Sequence, residues 1–132
     1  MEESLDHIMG GCSMSKLVSS LMSRWVHWWP QNISSAHSIW TTICDDDREK
    51  KGRRKEVKKV IGAAFFWTMW RARNGKVFNG EMVREKVIFE NIQFLAFDWI
   101  RNRFKFGKLL AWDFWICNPL SAIDLCTSLA SR

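Results

Sequence analysis

Apolar residues recur at helical spacing in four stretches of the chain. In the first, 13–29, Leu17, Leu21, Trp25 and Trp28 follow one another at intervals of four, four and three, and Val18, Met22 and Trp29 widen the stripe. Ser13, after Gly10-Gly11, stands where a hydroxyl can cap the first turn. Pro30 ends the stretch, because a proline ring crowds the residue before it out of the α conformation. The second stretch, 35–44, is short and offers Ile39, Trp40 and Ile43 as contacts. Asp45-Asp46-Asp47 then opens a charged run to Arg54, broken by Gly52, which reads as an exposed loop. The third stretch, 55–73, carries Val57, Val60, Ile61, Ala64, Trp67 and Met69 at helical period. Phe65, Phe66 and Trp70 spread its apolar surface around much of the cylinder, so it needs neighbours on more than one side. Asn74-Gly75 predicts a left-handed stop. The fourth, 82–105, uses Ile88, Ile92, Leu95 and Trp99, flanked by Phe89, Phe94, Phe97 and Phe104. Trp112 and Trp115 sit at helical spacing in 109–118, and the small, polar residues beyond Pro119 are predicted to fray.

This pattern predicts an all-α fold: a small irregular helical bundle of about four helices with an aromatic-rich core. Each helix is too short or too apolar to stand alone, so packing must stabilise them. The 132 residues suffice for one domain, and 47% hydrophobic content excludes a disordered composition. Nine Trp and nine Phe without a Tyr make large rings the main core material. Seven Gly and two Pro favour helices over a turn-rich β fold.

Charge changes the picture in the middle of the chain. The net +6 hides a division into −4 over 1–47, +11 over 48–108 and −1 over 109–132. Arg48, Lys50, Lys51, Arg53, Arg54, Lys55, Lys58 and Lys59 place eight positive charges within twelve residues, opposed by Glu49 and Glu56. Such a block can neutralise phosphates of RNA or DNA, weakly and without reading bases; the competing reading is a solvated helix face. Arg53, Arg54, Lys58 and Lys59 are expected to be exposed. Trp67 and Trp70, beside Arg71 and Arg73, could stack bases, but one helical turn of separation on an apolar helix favours a place in the core.

Chemistry is sparse. There is no Gly-rich phosphate loop, no Ser/His/Asp order and no carboxylate pair with a base, so neither catalysis nor a small-molecule substrate is expected. Asp45 to Asp47 read as a solvated helix end. The four cysteines form no Cys-x-x-Cys pair, the first residues carry acids rather than a basic start, and no apolar run reaches about 18 residues. These features predict reduced thiols in the cytoplasm or nucleus, without secretion or membrane insertion.

His7 and Cys12, spaced His-x4-Cys, would supply half of a tetrahedral zinc site. The run Glu3-Ser4-Leu5-Asp6-His7-Ile8-Met9-Gly10-Gly11-Cys12, followed by Leu17, Trp25 and Trp28-Trp29, resembles the second half of a reverse-transcriptase zinc-binding domain of plant LINE-type (non-LTR) retrotransposons. That family's module runs Cys-Pro-x-Cys, a hairpin, Glu-x-x-x-His-x-x-x-x-Cys and an amphipathic helix. Trp67-Thr68-Met69-Trp70-Arg71-Ala72-Arg73-Asn74, then Phe78, is similar to the Trp-x-x-Trp-x-x-Arg-Asn-x-x-x-Phe signature behind it. Trp99, Arg103, Trp112, Trp115 and Asn118-Pro119-Leu120 resemble the closing pattern, so the similarity spans roughly 3–120. It implies a division into a truncated zinc-module half (1–30), a short helix and charged linker (31–54), a helical tail (55–118) and a frayed end (119–132). It implies zinc in the intact module. The leading cysteine pair would precede Met1, so His7 and Cys12 are expected to be vestigial here and to hold no metal. The polymerase's aromatic-x-Asp-Asp hairpin and its metal-holding carboxylates have no counterpart. The implied function is an accessory nucleic-acid-binding region of an RNA-directed DNA polymerase polyprotein, partnered by the upstream reverse-transcriptase domain in a full-length parent. The alternative is an isolated helical protein-interaction module, or a translated relic.

Overall fold

Helix α1, Ser13–Trp25, brings Val18, Met22 and Trp25 onto one buried line at i, i+4 and i+7. The computed structural model describes residues 13–30, 40–43, 52–79 and 84–130. Leu17, expected on the inner stripe, is instead about half exposed. The chain leaves α1 four residues before the predicted end. The Trp29 amide donates to the Val26 carbonyl at 3.1 Å, and this turn carries Val26 and Trp29 inward.

The described residues of α2, 40–43, press Ile43 against α3, Arg53–Asn79. Gly62 makes room: a Cβ there would lie 2.8 Å from Ile43 Cδ1 and 3.4 Å from the Trp40 ring. α3 buries Val57, Ile61, Ala64, Phe65 and Met69, as its period predicts. It runs through Asn74-Gly75 rather than stopping there. Those residues tolerate the left-handed conformation but do not impose it; glycine inside a helix costs only about 1 kcal/mol relative to alanine.

α4, Glu85–Arg103, packs against α3, α1, α5 and a 3-10 turn at Lys105–Leu109. α5 is Trp112–Cys117 and α6 is Pro119–Ala130. The frayed end expected at 119–132 is therefore corrected over most of its length. Pro119 begins a helix instead of ending one, because its missing N–H and fixed φ suit the first helical position. The Asn118 side-chain oxygen accepts from the Ser121 amide at 3.2 Å, capping α6. Ala122, Ile123 and Cys126 then join the core.

The fold is all-α, with no strand among the described residues. Its aromatic core has two centres. In one, Trp115 lies edge-on to Trp25 at 5.6 Å and beside Phe97 at 6.3 Å, with Phe89 edge-on to Trp25. In the other, Trp29 meets Phe65 edge-on at 4.9 Å, flanked by Trp28 and Phe66. Edge-to-face contacts of this kind add about 0.5–1.5 kcal/mol beyond area burial. Two buried rings also spend their donors: the Trp115 indole N–H donates to the Gln93 carbonyl at 2.9 Å, and that of Trp25 to the Trp115 carbonyl at 3.3 Å.

Burial also sets thiol reactivity. Desolvation pushes the Cys126 thiol above its ordinary pKa, whereas Cys117 is exposed. Only the thiolate is a nucleophile, so iodoacetamide near neutral pH is expected to label Cys117 well before Cys126 in the folded chain. Peptide mass spectrometry over a time course checks this, and equal rates would mean that the α6 face is open.

Candidate nucleic-acid interface

Gly52 begins the site. Its φ of 110° lies where a side chain is strained, and its carbonyl accepts from the Glu56 amide at 3.3 Å to start α3. The basic block then enters the helix, and helical phase divides it. Arg53 is exposed, with its guanidinium 5.3 Å from the Phe106 ring centre. Arg54 reaches Asp124 of α6 at 3.4 Å, and Lys59 reaches Glu56, one turn back, at 4.0 Å. Both pairs are substantially hydrated and contribute little, about 0–1 kcal/mol. Lys55 is half-buried.

Lys58 departs from expectation. It is 2% exposed, and its ammonium lies 5.4 Å from the Trp28 ring centre. Three and seven residues on, Ile61 and Phe65 share its side of the helix, and that side meets the turn bearing Trp28 and Trp29. The alkyl stem is buried with them and the charge rests on an aromatic face. Arg48, Lys50 and Lys51 lie outside the described residues, as do His7, Cys12 and Asp45 to Asp47. Among the described residues, no group of three or more His, Cys, Asp or Glu is placed to hold a metal ion. No helix among them is long and apolar enough to cross a membrane.

The solvent face of α3 continues from Lys59 through Ala63 to Trp67, Trp70 and Arg71, in steps of three and four. Trp67 is 46% exposed and Trp70 44%, and their rings stack at 5.7 Å with 25° between planes. This corrects the expectation that the pair enters the core. Trp67 borders the buried line of Val60 and Ala64 but falls on its outer side, above half-exposed Ala63. One helix face thus carries Lys59, a small residue, then a flat aromatic pair with Arg71 beside it. Cations that track a backbone beside exposed rings are the components of sequence-tolerant single-strand binding.

No family model, curated protein or solved structure matches the chain.

Proposed function

We propose that this chain is an accessory nucleic-acid-binding region, similar in origin to the helical part behind the polymerase of LINE-type reverse transcriptases. The observation that carries the binding role is the exposed, stacked Trp67/Trp70 pair on the same face of α3 as Lys59, with Arg71 at its edge. On this reading the chain holds a single strand of RNA or DNA without reading its bases and performs no chemistry of its own. Zinc belongs to the intact family module rather than to this chain. The setting is the cytoplasm or nucleus, beside the upstream reverse-transcriptase domain of a full-length parent.

The test is titration with oligouridylate or oligothymidylate, followed by tryptophan quenching. Trp67→Ala and Trp70→Ala are each expected to weaken binding about tenfold, since stacking one base on a ring contributes about 1–3 kcal/mol. Both rings are exposed, so helical content should be retained. The pair Arg53→Ala and Lys59→Ala should flatten the slope of log affinity against log salt by about 1.4, at about 0.7 per phosphate contact on a single strand. Lys58 is unsuited to this test, because removing it disturbs the core. Unchanged affinity in the tryptophan variants, together with an unchanged slope, would sink the reading.

A second reading, a protein-interaction module, has its own observation. Phe94 and Phe114 are 61% and 58% exposed, with Trp112 against Phe94 at 6.2 Å. Loss of self-association or partner capture in Phe94→Ser, with oligonucleotide affinity intact, would favour it.

A further inference from the structure

A groove of about 500 Å³ runs between α1 and the N-terminal half of α4. Leu17, Leu21 and Phe89 give it an apolar floor, and Leu17 is 49% exposed there. Charge divides between its walls. Arg24 is the charged residue of the α1 wall, and α1 contains no acid. Glu85, Lys86 and Glu90 stand on the α4 wall and leave it net negative. None of these four charges makes an ion pair among the described residues. Trp25 meets Phe89 edge-on at 5.9 Å, so their chain neighbours Arg24 and Glu90 lie near one level of the groove, on opposite walls. Apolar surface continues beyond Glu90 to Phe94, one helical turn on and 61% exposed.

We propose that this groove is the interface between two copies of the chain. An apolar floor by itself would accept any amphipathic helix. The charges select the occupant. A twofold axis along the groove lays the basic wall of each copy over the net acidic wall of the other, and the contact is then complementary to itself. Arg24 of each chain faces Glu90 of the second copy, and the pairing occurs twice. Leu17 and Leu21 of one copy come down on Phe89 and Phe94 of the other, and the two α1 and two α4 helices form a four-helix bundle. A twofold across the groove would instead set like walls together. A basic peptide would oppose Arg24, and an acidic one would oppose Glu85 and Glu90, whereas a second copy answers both walls. One peptide helix seated in the groove also leaves Phe94 bare; the α1 helix of a second copy, lying over the solvent side of α4, covers it. No residue of α3 lines the groove, so the inference does not rest on the Trp67/Trp70 reading.

The experiment is sedimentation of the full chain from low to high micromolar concentration. The mass should rise toward twice the 15.6 kDa of one chain. Leu17→Ser, Arg24→Glu and Glu90→Arg each change an exposed residue, so all three should keep their helical content by circular dichroism. Each should sediment as a monomer over the same range. For the two charge variants the dissociation constant should rise about a hundredfold, about tenfold at each of two like-charged contacts. The decisive sample is an equimolar mixture of Arg24→Glu chains with Glu90→Arg chains. Opposite charges then meet at both contacts, and the mixture should dimerise although neither variant does alone. A parent chain that stays monomeric overturns the proposal. So does a dimer that all three variants preserve, because its contact lies on another face, and so does a mixture that fails to associate. Trp67→Ala should dimerise as the parent does, which keeps this outcome separate from that of the oligonucleotide titration.

Discussion

Trp115→Ala is expected to cost about 4 kcal/mol, the upper part of the range for emptying a buried aromatic site. The ring is fully buried, lies against Trp25 and Phe97, and donates its N–H to the Gln93 carbonyl on α4. Its removal leaves a cavity where α1, α4 and α5 meet. A domain of this size is typically stable by about 5–15 kcal/mol, so the variant should stay folded in water but lose a large share of its stability. Urea unfolding followed by circular dichroism measures the loss. Trp115→Phe separates packing from hydrogen bonding: it keeps a ring but loses the donor, and should cost about 1–2 kcal/mol. A loss below about 1 kcal/mol in Trp115→Ala would mean that the three helices do not converge on this ring.

The second large effect is expected at Gly107. A Cβ there would stand 2.2 Å from the Ile100 carbonyl oxygen, 2.8 Å from its carbon and 3.0 Å from Arg101 Cα. All three are backbone atoms, so no side chain can swing aside. The same Ile100 oxygen accepts from the Phe104 amide at the end of α4, so displacing it breaks the helix terminus. Gly107→Ala should cost about 3 kcal/mol, at the high end for overpacking. The 3-10 turn also touches α6, and Phe106 beneath it is buried, so α6 should loosen together with the turn. Amide hydrogen exchange would show this as lost protection across Ala122 to Cys126. A midpoint unchanged from the parent would mean that the turn sits farther from α4.

The all-α fold was legible because Val57, Ile61, Ala64, Ile88 and Ile92 repeat at a period that only a helix can bury. The outer phases were not. Trp67 and Lys58 each stand one step from a buried line, and chain spacing alone does not say which side a neighbouring helix will cover. Trp67 faces outward where no described helix lies over it, and Lys58 faces inward where the Trp28–Trp29 turn does. α6 carried a usable signal: Asn118-Pro119 matches a cap and first-turn pair, and Ile123 and Cys126 lie one turn apart on one face. Small polar residues between them masked it. A cleft beside the start of α6 was not legible, since Arg24, Arg54 and Ser121 come together only when three segments meet.

The bond from the Trp25 indole to the Trp115 carbonyl joins residues 90 positions apart. A nascent chain leaving the ribosome therefore makes α1 early and finishes its surroundings almost last. Until α5 has emerged, Trp25 and Phe97 lack the ring that fills the space between them, and the growing polypeptide carries bare aromatic surface of the kind chaperones bind. Closing so long a loop before its contacts can form also slows folding relative to helical proteins built from neighbours in sequence. Premature termination between α4 and α5 should thus yield a sticky, protease-sensitive product, even though most of the helices would already have been synthesised.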